Sequence, residues 1–324
     1  MGGSYRRIKD RREVSVGTLS AWIHAYGGRC MNPVEMAHHL QLPTHNSWSG
    51  ILLLDGKYLS RHMVLLLAVD YHTQDIIAFR IASNESQESY QTLIIDVRAC
   101  GYTIKALISD GGVGIRALTR KKKRAWTRRG TRPYPRPGIP PATSPPALLE
   151  GVPHQWCLVH AQRELLKYVK RDAQKEEREI LIESICHILF ASTLKQAEKA
   201  KNKLHAYGDL QGSIVAKRLV NTLVSYWHLL TTHYQVRVGR RKIPSTTNII
   251  ENIISSLNTR LKTMRKIKTY SSAQAICHLI ILKYRLKLLT DSTNKLKKNK
   301  SSLELSIGKK CKLDWYRFIK KSCR

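Results

Sequence analysis

Between residues 51 and 109 the chain lays down three short apolar runs, one amphipathic stretch and a fourth apolar run, and few folds accept that order. Ile51 to Tyr58, His62 to Asp70 and Asp75 to Ile81 are apolar and β-branched, and turn-prone Ser60-Arg61 and Tyr71-His72-Thr73-Gln74 separate them. They predict an antiparallel meander. From Ser86 to Cys100, Tyr90, Leu93, Ile94 and Val97 recur at helical spacing, with Gly101 placed to end a helix. Thr103 to Ser109 then reads as a strand that a crossover returns beside the first.

Strand, strand, strand, helix, strand is how an RNase H-like fold opens, with acidic residues of its first and fourth strands side by side. The expected class is α/β: an RNase H-like mixed sheet with a helical insertion, preceded by a small helix-turn-helix-like α region. We place that α region at 1–46, the sheet domain at 47–290 and a basic tail at 291–324. Within 5–26, Ser15 reads as an N-cap, and Leu19, Trp22, Ile23 and Tyr26 recur at helical spacing. The pair of short helices suits a major groove, with a hairpin packed on the core as the alternative. Met31 to Leu40 adds a short helix. Residues 116–146 read as a basic, Pro-rich loop, His154 to Leu158 as a short fifth strand and 161–245 as the insertion.

Three carboxylates stand out on this frame. Asp55 follows Ile51-Leu52-Leu53-Leu54, Asp110 follows Ala106-Leu107-Ile108-Ser109, and Glu251 opens an amphipathic helix after Thr246-Thr247-Asn248-Ile249-Ile250. Hard oxygen ligands on rigid elements are what two-metal phosphodiester chemistry needs, so the three together suit Mg²⁺ or Mn²⁺, two ions in all. Each has a competing explanation. Asp55-Gly56 is a good hairpin dipeptide, Asp110-Gly111-Gly112 a turn, and Asn248 with Glu251 a capping box. Asp70, the rival acid, reads as a turn cap. On the Glu251 helix, Ile250, Ile254, Leu257, Leu261 and Met264 form the apolar stripe, leaving Glu251, Ser255, Asn258 and Lys262 on a polar face. Arg260, Lys262, Arg265 and Lys266 are candidate DNA contacts. Cys157 and His160 share a helical face as half of a zinc-type spacing, with no second Cys/His pair to complete it.

Charge supplies the substrate class. With 56 Lys plus Arg against 23 Asp plus Glu, the formal net charge is +33. Phosphates neutralise such a surface and release condensed counterions. The longest apolar runs, such as Met63 to Val69, fall far short of the roughly 20 residues that span a bilayer, and no signal-like apolar stretch follows Arg6-Arg7. A cytoplasmic, nucleoid-associated protein is expected, with its seven scattered cysteines reduced.

Ile51 to Asp55, Leu107-Ile108-Ser109-Asp110-Gly111, His154-Gln155-Trp156-Cys157-Leu158-Val159-His160 and Thr246 to Glu251 resemble, in that order, the DDE transposases of the Mutator-like bacterial insertion-sequence superfamily. The resemblance covers roughly residues 48–287. It implies an RNase H-like domain in which Asp55, Asp110 and Glu251 are catalytic metal ligands and His160, with Cys157, supports the site or contacts DNA without binding zinc. It further implies cleavage at terminal inverted repeats, strand transfer into target DNA and a dimer or larger synaptic assembly. The basic stretch at 116–146 is longer than the family's usual link after the second Asp. A nuclease that never joins strands and a non-catalytic basic DNA-binding protein are the alternatives.

Overall fold

The computed structural model describes residues 14–119, 148–262, 267, 269–290 and 292–308. Its centre is a five-stranded mixed sheet in the order β3-β2-β1-β4-β5. β1 (Ile51–Ser60), β2 (Met63–Asp70) and β3 (Ile76–Ala82) form the antiparallel meander. β4 (Ala106–Ser109) returns parallel to β1, and β5 (His154–Trp156) is parallel to β4. The helix α3 (Gln87–Ala99) makes the crossover, capped by Ser86, whose hydroxyl accepts from the Ser89 N–H. The expected order is the observed one, with strand ends displaced by one to three residues.

Alternation along the strands sorts their side chains into two cores. Leu52, Leu54, Val64, Leu66 and Leu107 pack on Tyr90, Leu93, Ile94 and Val97 of α3. Ile51, Leu53, Leu65, Leu67, Ala106 and Ile108 pack on the opposite side, against Ile250, Ile253 and Leu257 of the helix Asn248–Leu261 and Cys277 and Ile281 of the helix Tyr270–Leu286. Every residue of β2 is buried. At about 1.5–3 kcal/mol for each large aliphatic side chain, this burial dominates the stability of the frame.

Two readings of turns change. Asp55 and Gly56 lie inside the β1–β2 ladder, opposite Leu67 and Leu66, and the hairpin closes only at Ser60 and Met63. The Asp55-Gly56 hairpin alternative is therefore excluded, because pairing with an apolar, fully buried β2 extends the ladder past it. Asp70 does cap its turn, accepting from the His72 and Thr73 N–H groups, from Ser49 and from the Tyr102 hydroxyl at 2.7 Å.

After β4, α4 (Val113–Thr119) occupies the start of the stretch read as a loop, and residues 120–147 lie outside the described residues. The insertion is helical, as expected. Helices α5 (Leu158–Asp172), α6 (Lys175–Leu189), α7 (Leu194–Leu210), α8 (Ile214–Leu230) and α9 (Thr232–Gln235) have a core of their own around Leu165, Val169, Leu181, Leu219 and Leu223. A small hairpin, Arg237–Val238 with Arg241–Lys242, follows, and the sequence reading missed it.

The first described helix, α1 (Val16–Arg29), has the expected N-cap at Ser15. It packs on Tyr270–Leu286, where Gly27 meets the Ala275 backbone so closely that no side chain would fit. The helix expected over 5–11 lies outside the described residues. Its successor, α2 (Pro33–His39), carries a full capping box between Asn32 and Glu35. Part of the segment read as a tail is docked. In the helix Ser302–Ile307, Ser306 donates to Asp75 Oδ2 at 2.8 Å and accepts from the Trp48 indole at 2.9 Å. Asp75, with no exposed surface, also receives both arms of Arg285 at 2.7 and 2.8 Å.

Removing one partner of so buried a pair leaves an uncompensated charge. We expect Arg285→Met to lower unfolding free energy by about 3–5 kcal/mol, read from urea denaturation monitored by circular dichroism.

Candidate active site

The two aspartates meet through strand register. Leu54 pairs with Ser109 in the parallel β1–β4 ladder, so Asp55 and Asp110 are the next residues on neighbouring strands. They also continue the alternation that turns Leu53 and Ile108 toward the helix Asn248–Leu261, named α10 here. Asp55 Oδ1 accepts from the Gly56 N–H at 2.8 Å, and Asp110 Oδ1 accepts from the Gly112 N–H at 2.9 Å. Gly111, at φ +81°, lies flat against the Trp156 indole, where any Cβ would collide.

Crowded charge is the chemical mark of the place. Burial first, then the negative charge of Asp110, pushes the Asp55 carboxyl up to about 7, with Glu85 adding to the effect and His160 opposing it. Glu85 is a third acid that the sequence reading did not weigh. Burial and Asp110 raise it too, and it accepts from the Tyr90 hydroxyl at 3.5 Å. A Cβ on Gly56 would stand 2.5 Å from Glu85 Oε1, so glycine at 56 is what lets this carboxylate lie against β1. Glu85 sits in the turn before α3 with no periodicity to mark it; the one local signal is the Asp-Gly pair, readable as a close approach rather than a turn.

Glu251 stands on α10 beside His160, whose imidazole feels the charges of both Glu251 and Asp110. That helix is capped by Thr247, not by Asn248, so Glu251 falls one residue beyond the capping-box position and the competing capping-box reading of Glu251 is excluded. Its Oε1 instead accepts from the Thr247 hydroxyl at 3.2 Å and lies 3.7 Å from His160 Nδ1. Of the expected stripe, Ile250 and Leu257 are buried with Ile253, Ile254 and Leu261 are half-buried, and Met264 lies outside the described residues.

Cys157 joins the parts. Its N–H donates to the Ser109 carbonyl at 2.8 Å, immediately before Asp110, and its sulfur accepts from the Thr247 N–H at 3.4 Å, immediately before α10. Burial disfavours the Cys157 thiolate, but hydrogen bonds from His160 and Thr247 outweigh it and bring the thiol down to about 7. The same bond to Cys157 holds the His160 imidazole above its ordinary value against burial, with the charges of Glu251 and Asp110 adding to it. The potential ligand atoms of Cys157, His160 and Glu251 all lie within 4.8 Å of one another. With its sulfur buried and occupied by Thr247, Cys157 serves this structure as a clamp between β4 and α10.

Of the candidate DNA contacts, Arg260 lies in the last turn of α10 and Lys262, exposed, is its C-cap. Arg265 and Lys266 lie outside the described residues. Arg116, read as part of a loop, is on α4 with its guanidinium 5.3 Å from the Trp156 ring and 4.7 Å from the Tyr226 ring.

Residues 143–286 match the family model described as transposase, Mutator family. The matched stretch takes in Cys157, His160 and Glu251, and Asp55 and Asp110 precede it. No curated protein sequence matches the chain. Among the described residues no helix is long and apolar enough to cross a membrane.

The elevation of Asp55 has a thermodynamic consequence. A folded-state pKa above the unfolded one means that its contribution to stability is complete below the usual carboxylate range and is lost as pH rises through about 7. Without divalent cations, thermal melting of Asp55→Asn should therefore exceed that of the wild type above pH 7 and converge with it in acid.

Proposed function

We propose that the protein is a DNA transposase of the DDE type, in which Asp55, Asp110 and Glu251 hold divalent metal beside the central strands of an RNase H-like sheet. The observation that carries this reading is the juxtaposition of Asp55 and Asp110 by the parallel β1–β4 pairing, with Asp110 helping to raise Asp55. The match of residues 143–286 to Mutator-family transposases supports it, as does the sheet order of an antiparallel meander followed by two parallel strands.

The donors fit Mg²⁺ or Mn²⁺. They are carboxylate oxygens on a strand, a strand end and a helix, and the repulsion between Asp55 and Asp110 is what a hard cation relieves. Bound there, a pair of such ions supplies nucleophile activation and leaving-oxygen stabilisation for in-line displacement at a phosphodiester. The protein's own part is placement. Asp55 and Asp110 are fixed by strand register and by the Gly56 and Gly112 N–H groups, and Glu251 is steered by Thr247 and His160. His160 thus acts on the reaction through Glu251. Arg260 and Lys262, at the end of that helix, and Arg265 and Lys266, which follow in the sequence, would serve as contacts to the DNA backbone, and the net charge of +33 brings DNA to the surface. The amino-terminal helices would read the element ends, two ends would be held by a dimer or larger assembly, and the work would take place on nucleoid DNA.

The test is a strand-transfer assay with duplexes taken from the DNA that flanks the coding sequence. Asp55→Asn, Asp110→Asn and Glu251→Gln should each lower joining by more than about a hundredfold, and His160→Ala by about 10- to 100-fold, as for groups that orient a metal ligand. DNA affinity without metal should persist in all four. Full joining in any of the three acid variants would remove that acid from the mechanism, and cleaved but never joined products would identify a nuclease instead.

A further inference from the structure

Two helix beginnings face each other beside the candidate active site. Cys157 is the N-cap of α5 and His160 the helix's third residue, so the sulfur and the imidazole come to one side of the first turn. Thr247 is the N-cap of α10, and Glu251 stands in that helix's first turn. The result is a trio of ligand atoms, one each from Cys157, His160 and Glu251, within 4.8 Å of one another. Neither aspartate belongs to it, so this trio and the three acids share Glu251 alone.

The donor set differs from that of the acids. A sulfur, an imidazole nitrogen and one carboxylate oxygen suit a borderline ion such as Zn²⁺ far better than Mg²⁺. Tetrahedral zinc takes sulfur at about 2.3 Å and nitrogen or oxygen at about 2.0–2.2 Å, which sets the ligand atoms roughly 3.3–3.7 Å apart. His160 Nδ1 and Glu251 Oε1 already stand 3.7 Å apart. The sulfur has only to close on them by about an ångström or less. Thr247, with no exposed surface, supports two of the three ligands: its N–H donates to the Cys157 sulfur at 3.4 Å and its hydroxyl to Glu251 Oε1 at 3.2 Å. Such bonds orient a metal ligand and leave it lone pairs for the ion, so the role of Cys157 as a clamp is compatible with ligation. The His160 and Glu251 side chains keep 24% and 35% of their surface in solvent, which gives an ion its way in and leaves the fourth position to water. In the sequence the Cys157–His160 spacing lacks a complement; its complement is a carboxylate on another helix, where no Cys/His spacing would mark it.

We propose that Cys157, His160 and Glu251 form a three-ligand site for Zn²⁺, and that filling it draws Glu251 away from Asp55 and Asp110 and stops the reaction. The Cys157 thiol releases its proton to solvent as the ion binds. Zinc is then an inhibitor that competes with Mg²⁺ for one carboxylate. The metal site stands by itself, while its inhibitory effect rests on the function proposed above.

Co²⁺ in place of Zn²⁺ reports the site by absorption, because a thiolate ligand gives a sulfur-to-cobalt charge-transfer band in the near ultraviolet and four-coordination gives intense visible bands. The full chain, reduced and freed of metal, should develop both with one equivalent of Co²⁺ and lose both to Zn²⁺ but not to excess Mg²⁺. Cys157→Ser should lose the charge-transfer band. His160→Ala and Glu251→Gln should each weaken Co²⁺ binding by at least about tenfold, no less than the loss of a group that only orients a ligand. Asp55→Asn and Cys186→Ser, outside the trio, should leave the spectrum unchanged. Absence of the band in the wild type would overturn the site, as would its survival in Cys157→Ser; if that variant does not fold, wild-type Co²⁺ affinity in Glu251→Gln would overturn it equally. In the strand-transfer assay with Mg²⁺, Zn²⁺ enough to saturate the site should abolish joining by the wild type, and full joining at saturation would overturn the inhibition. A cobalt spectrum from a chain that never joins strands would keep the metal site and remove the transposase, whereas joining without a cobalt spectrum would do the reverse.

Discussion

Four parallel backbone pairings between β1 and β4, from Ile51 with Ala106 to Leu54 with Ser109, determine how the two aspartates are placed at the centre of the sheet. They put two carboxylates on adjacent strands, where each is driven against the other's charge. Burying an ionised carboxyl costs several kcal/mol. The surrounding strands offset this because Leu53, Leu54, Leu65, Leu66 and Leu67, all fully buried, contribute about 1.5–3 kcal/mol each. The frame can hold an unfavourable pair of acids in place, and the residual repulsion is what gives a cation something to relieve.

Around that register the remaining parts are tied by backbone groups more than by charge. Cys157 bonds to Ser109 on one side and to Thr247 on the other, and Leu158 donates to the Ser245 carbonyl at 2.9 Å. The end of β4, the first turn of the helical insertion and the start of α10 thus form one knot. An insertion with its own core can vary in size without moving Glu251, since its first helix and the segment that follows it are fastened to each other at that knot. His160, one turn into the insertion, is placed by the same fastening within reach of Glu251.

Much of this is legible in the sequence where burial imposes a period. The strands, the crossover helix and the helical insertion follow from Ile51 to Ser109 and from stripes such as Leu181, Ile185 and Ile188, because each buries one repeating face. What escaped depends on tertiary approach. Asp55-Gly56 carries the dipeptide of a turn, yet the fully buried β2 keeps it in a ladder and Glu85 needs the space above the glycine. The capping box at Asn248 is locally well formed as a sequence, but the helix begins one residue off and turns Glu251 to Thr247 and His160. Val113 to Thr119 was hidden by the basic residues that follow it, and the hairpin at Arg237 by its charge, although Gly239 at φ +61° marks its turn.

The central claim is that hard cations settle among Asp55, Asp110 and Glu251, and it can be read directly from where a bound ion cuts the polypeptide. Fe²⁺ loaded in place of Mg²⁺, with ascorbate and peroxide, generates hydroxyl radicals that cleave the backbone within a few ångströms of the metal. We expect fragments ending near residues 55, 110 and 251 together, all suppressed by excess Mg²⁺. Cleavage confined to the neighbourhood of Cys157 and His160, or scattered and indifferent to Mg²⁺, would contradict it.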